Sequence, residues 1–331
     1  MHILITGAAG MIGRKLTARL VAEGGLAGQA ITRLSLIDIV AAEKPAGFAG
    51  ACESQAADLS APGAATAAIK DRPDVIFHLA AIVSGEAEAD FAKGYRVNLD
   101  GTRLLFEAIR AVGAPYRPRL VFTSSIAVFG APFPDPIPDD FFATPLTSYG
   151  TQKAIDELLL ADYSRRGFLD GIGIRLPTIC IRPGAPNKAA SGFFSGILRE
   201  PLAGREAILP VEDSVRHWHA SPRAAVGFLL HGATIDLAPL GARRNLTMPG
   251  LCASVGEQIA ALRRAAGEGA VKLIRRSPDP AIAAIVVGWP QRFDAARAEA
   301  LGFKAEKSFD EIIRVYLEDD CKREQDRQKP R

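Results

Sequence analysis

The first half of the chain alternates between two hydrophobic rhythms. Short apolar runs predict strands at His2–Thr6, Leu34–Ile37, Glu53–Ala57, Asp74–Leu79, Arg119–Ser124 and Gly171–Leu176. Helical spacing separates them. Met11–Glu23 carries an apolar stripe at Ile12, Leu16, Leu20 and Val21, and longer helical patterns cover Asp90–Val112 and Tyr149–Arg166. Strands joined through crossover helices run parallel and are covered on both faces, which predicts an α/β, doubly wound parallel sheet.

After residue 177 the rhythm changes. Arg182–Lys188 is a Pro/Gly loop. Helical patterns follow at Gly192–Leu202, Pro222–Gly232, Ser254–Ala266 and Ser308–Glu318, with short strands near Arg244–Met248 and Val271–Ile274. The expected organisation is a nucleotide-binding domain over residues 1–180 and a smaller C-terminal α/β substrate lobe over 181–318, parts of which return to the main domain. Residues 319–331 hold no core-forming side chains and are expected to form a disordered tail.

Composition excludes more than it assigns. With 331 residues, 48% hydrophobic, the chain can build a large core. Its net charge of +3 is spread along the sequence, without a Lys/Arg cluster interleaved with aromatics, so no nucleic-acid partner is expected. Cys52, Cys180, Cys252 and Cys321 stand apart, which argues against a metal site or a disulfide framework and for buried thiols in a reducing compartment. The opening MHILITGAAG enters a strand at once, and no apolar run is long enough to span a membrane. A soluble, cytoplasmic protein is expected.

The first strand meets the first helix through Thr6-Gly7-Ala8-Ala9-Gly10-Met11-Ile12-Gly13. Gly7 permits a sharp turn, Gly10 lets the backbone approach a pyrophosphate, and Gly13 lets the helix pack closely. The helix N-terminus, opening at Met11 and Ile12, then offers N–H groups and a positive dipole end to phosphate. Asp38 ends the second strand, where a carboxylate accepts from both hydroxyls of an adenosine ribose and repels a 2′-phosphate, favouring NAD over NADP. Asp58-Leu59 follows the third strand, within reach of an adenine amino group.

Tyr149-Gly-Thr-Gln-Lys153 places a phenol and an ammonium on one helix face. The cation favours the phenolate, which can take a proton from an alcohol as hydride leaves for a nicotinamide. Ser125 ends a sheet strand, the position from which open α/β sheets present ligand-binding groups, and can hydrogen-bond the reacting oxygen.

Together, TGAAGMIG, Asp38, Asp58-Leu59, His78-Leu-Ala-Ala81, Asn98-Leu-Asp-Gly-Thr102, FTSSIAVFG and YGTQK resemble the extended short-chain dehydrogenase/reductases, in order and spacing, from residue 1 to about 185. The resemblance implies a Rossmann fold, bound NAD, and Ser125, Tyr149 and Lys153 as the catalytic residues, with Lys153 also holding the nicotinamide ribose. It implies that Leu79, Ala80 and Ala81 line the cofactor's path, that Asn98 lies near the active site, and that Thr178 stands by the cofactor where sugar-nucleotide members usually carry Asn. It also implies a homodimer pairing helices such as Asp90–Val112 and Tyr149–Arg166.

The resemblance continues through IRLPTICIRPGAPNKAASGFFSGILREPL and VRHWHASPRAAVGFLLHG to members that oxidise the C2 hydroxyl of a small sugar acid. A sugar acid needs a cation or donors for its carboxylate. Arg182, Arg216 and His219 are the candidates, with Ser84 and Asn187 as hydroxyl binders beside Ser125 and Tyr149. Ion pairs for the arginines and a core position for His219 are the structural alternatives. One rival function is a nucleotide-sugar 4-epimerase or dehydratase. Ile126 and Ala127 stand where a dehydratase would carry an Asp-Glu pair, which counts against dehydration. The other rival, a non-catalytic redox sensor, has no need of the Ser-Tyr-Lys set.

Overall fold

The computed structural model describes residues 1–184 and 191–321. The chain forms two compact units. The first comprises Met1–Phe129, Ala143–Leu176 and Val226–Met248; the second comprises Gly130–Phe142, Pro177–Ala225 and the chain from Pro249 onward.

The first unit is built on seven strands: β1 (His2–Thr6), β2 (Arg33–Asp38), β3 (Ala51–Ala56), β4 (Val75–His78), β5 (Arg119–Ser125), β6 (Asp170–Leu176) and β7 (Asn245–Thr247). Their order is β7-β6-β5-β4-β1-β2-β3, and every pairing is parallel. The order reverses between β1 and β4. The register sets Thr6 opposite both Ile37 and His78, so three strand ends open on one crevice.

Helices α1 (Met11–Glu23), α2 (Gly101–Val112) and α3 (Ser148–Arg165) accompany the sheet. Leu105, Phe106 and Ile109 of α2 and Leu160 of α3 share a core with Leu4, Ile76, Leu120 and Phe122. Two expectations are corrected. The buried stripe of α1 is Gly13, Leu16, Thr17 and Leu20, with Ile12 and Val21 only half-buried, because the helix turns Gly13 inward against the glycine turn. The long helix toward Val112 is interrupted by a π-helical stretch, Tyr95–Asp100, before α2 begins.

In the second unit, Arg216–Ala220 lies between Thr178–Ile179, parallel to it, and Leu251–Ser254, antiparallel. Helices α4 (Gly192–Leu202), α5 (Val255–Val271) and α6 (Phe309–Tyr316) enclose a separate core containing Phe194, Ile197, Leu198, Ile259, Leu262, Phe309 and Ile312. A capping box starts α5: the Glu257 N–H donates to Ser254 Oγ and the Ser254 N–H to Glu257 Oε2. The α5 segment runs on to Val271 through a left-handed Gly267, so the strand expected at Val271–Ile274 begins only at Ile274. Order also extends past the expected start of the tail. Leu317–Cys321 forms a further helical turn, and Arg223 holds Glu318 (2.8 Å) and Asp319 (2.6 Å). Among the described residues no helix is long and apolar enough to cross a membrane.

Candidate active site

The turn after β1 is shaped by steric limits that only glycine satisfies. Gly7 has φ +74°, and a Cβ there would stand 2.7 Å from the Ala80 nitrogen and the Leu79 carbonyl carbon. A Cβ on Gly13 would stand 2.2 Å from the Gly7 oxygen. The turn is therefore pressed against the end of β4, where the Leu79 N–H donates to the Thr6 oxygen. Gly10 begins α1 without a side-chain cap, which leaves the N–H groups at Met11 and Ile12 to an anion. The bare turn and uncapped helix start fit the pyrophosphate of a dinucleotide.

Asp38 reaches this turn from β2: its Oδ2 accepts from the Ala9 N–H at 2.9 Å and its Oδ1 from the Ile39 N–H at 2.6 Å. Asp58 accepts from the Ser60 hydroxyl (2.6 Å) and N–H (2.9 Å), and the hydroxyl bond leads in holding its carboxyl below the usual range. The Leu59 side chain is core, and Ser84 begins a short helix, Ser84–Ala89. Asn98 is fully buried in the π-helical stretch. Its Oδ1 accepts from the Ile82 N–H (2.8 Å) and its Nδ2 donates to Gln152 Oε1 (2.7 Å), tying the segment after β4 to α3.

Ser125 ends β5 and caps the next turn, its Oγ accepting from the Ala127 N–H at 3.1 Å. Tyr149 stands in the first turn of α3, where Thr147 caps the helix by accepting from the Gly150 N–H. A Cβ on Gly150 would lie 2.2 Å from the Ala127 oxygen. Gly150 thus lets the Tyr149 turn abut the Ser125 turn. In the sequence the only signal for Gly150 is its place directly after Tyr149.

Behind Tyr149 the helix buries charge. Lys153, 2% exposed, carries its Nζ 5.9 Å from the Tyr149 ring centroid and 4.6 Å from that of Phe122. Burial pulls its ammonium down to about 8, against the opposing pull of Asp156 and Glu157. Glu157 and Arg175 form a buried ion pair at 2.7 Å, and Ser124 Oγ donates to Glu157 at 2.5 Å. His78 pairs with Thr6 Oγ1 (2.7 Å) and Thr102 Oγ1 (3.0 Å). Burial, with a lesser push from Lys153, lowers it to about 3, so the ring is neutral.

The remaining candidates lie in the second unit. Thr178 Oγ1 pairs with His217 Nε2 at 2.7 Å, and His217 Nδ1 with the Pro290 oxygen at 2.9 Å. His219 is fully buried and contacts Gln258 Nε2 at 3.1 Å, and its Nδ1 has no hydrogen-bond partner among the described residues. Arg182 donates through Nε to the Ile179 oxygen and through Nη2 to Ser191 Oγ. Arg216 is exposed, 3.5 Å from Glu257. Asn187 lies outside the described residues.

Residues 3–221 match the family described as NAD dependent epimerase/dehydratase. Over 324 residues the chain is 48% identical to a D-erythronate dehydrogenase of Cupriavidus necator, covering 96% of this chain and 98% of that one. It is 40% identical to a D-erythronate dehydrogenase of Haemophilus influenzae, covering 97% and 100%. A crystal structure described as the nucleoside-diphosphate-sugar epimerase from Agrobacterium tumefaciens is 68% identical, with a TM-score of 0.96 over 97% of this chain and 95% of that one.

Proposed function

The chain belongs to the NAD dependent epimerase/dehydratase family, and from that premise we propose that it is a dehydrogenase that oxidises the C2 hydroxyl of D-erythronate to 2-dehydro-D-erythronate with NAD. The observation that carries this reading is the likeness to two D-erythronate dehydrogenases over nearly the whole of each chain, both units included. A small polyhydroxy acid is the substrate class, and catabolism of four-carbon acid sugars in the cytoplasm is the setting. The working form is a homodimer.

NAD, when bound, supplies the acceptor for the hydride that leaves C2. Gly7, Gly10, Met11, Ile12 and Gly13 hold its pyrophosphate, and Asp38 its adenosine ribose. Ser125 donates a hydrogen bond to the C2 oxygen and fixes the alcohol. Tyr149, as phenolate, takes the hydroxyl proton onto its own oxygen. The buried Lys153 cation, close beneath the ring, favours that phenolate and lowers the barrier to the transfer.

A second reading has support of its own: the 68%-identical crystal structure is described as a nucleoside-diphosphate-sugar epimerase. One assay separates the two. Purified protein is given NAD and a panel of aldonic acids led by D-erythronate, with UDP-sugars in parallel. Net NADH with D-erythronate, and less with its stereoisomers, is the expected result. Interconversion of a UDP-sugar without net NADH, alongside silence with every sugar acid, would replace the dehydrogenase by an epimerase.

A further inference from the structure

The buried charges of the first unit do not all have equivalent partners. Glu157 is bound by Arg175 through two nitrogens, Nε at 2.9 Å and Nη2 at 2.7 Å, and also accepts from Ser124. Asp156, next to it on α3, is fully buried yet far less well held. Its Oδ2 accepts from Thr102 Oγ1 at a long 3.4 Å, and its Oδ1 has no hydrogen-bond partner among the described residues. A buried carboxylate in that condition is expensive unless a cation compensates it. The cation acting on it is Lys153, one helical turn earlier on the same helix. The need is mutual, because an ammonium buried against Phe122 is itself costly.

We propose that Asp156 is a positioning residue that keeps Lys153 in its ammonium form, and thereby sets the pH range in which Tyr149 works as a base. This rests on the reading of Tyr149 and Lys153 as the proton-transfer pair. The other groups facing the pair do not substitute for Asp156. His78, from β4, is a neutral ring. Glu157 also supports the Lys153 ammonium, after Asp156, but it is already bound by Arg175 from β6. Thr102, from α2, and Asn98 and Gln152 carry no charge. Burial disfavours the Asp156 carboxylate, and the Lys153 cation draws it back toward its charged form, the counterpart of the support that Asp156 gives the ammonium.

The test reads the charge on Lys153 directly. In protein labelled with 13C-lysine, the Lys153 resonance is identified by its loss in Lys153→Met, and its titration is followed in Asp156→Asn, with and without NAD. The expected result is a Lys153 midpoint lower by about one pH unit or more. The alkaline limb of kcat moves down with it, and Asp156→Glu restores both. If Asp156→Asn does not fold, Thr102→Val decides, with a smaller shift in the same direction. An unmoved Lys153 midpoint in the folded variant overturns the proposal, even if kcat falls, since that is what a merely structural residue would give. Should the midpoint move while Tyr149→Phe keeps its turnover, the Asp156 inference stands for Lys153 and the assignment of Tyr149 as base fails.

Discussion

Both units bury histidine and other polar side chains, but they differ in what surrounds those groups. Behind Tyr149 the first unit buries ions: Lys153, Asp156, Glu157 and Arg175, matched in number and tied to Ser124 and Thr102. The second, besides its Arg199–Glu200 pair at 2.7 Å, buries uncharged rings. His217 stacks on Phe194 with centroids 5.3 Å apart and planes 7° apart, His219 meets the same ring edge-on at 4.8 Å, and Trp289 lies 5.2 Å from His217. An ion set responds to a proton added or removed, because each charge holds the others in place. Near neutral pH a stack of neutral rings responds to lost volume instead. The first arrangement suits proton transfer and the second suits holding a shape.

The sharpest separation should come from Tyr149→Phe. It removes one hydroxyl from the first region, and turnover with D-erythronate should fall by about 10²–10⁴-fold. The NAD dissociation constant and the melting temperature should stay near their original values. Wild-type kcat in this variant would remove Tyr149 from the mechanism. Phe194→Ala is its converse. Emptying the ring stack should cost about 3–5 kcal/mol in urea unfolding, with loss of activity following loss of fold. A small stability change there would mean that the rings are not the second core's anchor.

Acid should affect both regions alike. Burial lowers His78 to about 3 and His217 to about 4, each from 6.5. Between those values and 6.5 the unfolded chain binds more protons than the folded one, so stability is present above 6.5 and lost as pH falls. The loss should reach about 2 kcal/mol per ring by about pH 5. Urea midpoints unchanged between neutrality and that pH would show that the rings are hydrated. The smallest effect is expected from Thr178→Val, which strips the partner from His217 Nε2 and should cost about 1–2 kcal/mol while leaving NAD affinity alone. A marked loss of NAD affinity would instead give Thr178 a direct part in the cofactor site.

The first unit was the more legible in the sequence. Its strands are continuous apolar runs, and its site elements are local: a glycine turn between strand and helix, a serine at a strand end, a tyrosine and a lysine one helical turn apart. The strand Arg216–Ala220 was missed for a physical reason. Its buried positions include His217 and His219, which read as polar in the sequence, His219 as a substrate candidate or a core residue. Only the aromatic rings around them, drawn from Phe194, Trp289 and Phe309, make those positions core. Val271–Ile274 was misplaced because the helical turns resume beyond Gly267, whose positive φ kinks the segment without ending it, and carry on to Val271.

What the sequence determined by itself is order along the chain and the candidates for its chemistry: a glycine turn suited to a pyrophosphate, a tyrosine and lysine suited to a phenolate beside a cation, and where the parallel strands fall. These depend on spacings within one or two turns, which local backbone geometry converts directly into position. The tertiary structure alone decided what surrounds those residues. It placed Asp156 in the interior with Lys153, tied Glu157 to Arg175, and made Gly150 the point where the Tyr149 turn meets the Ser125 turn. Burial and the distance between charges depend on segments far apart in sequence, and they govern how readily a side chain holds its proton.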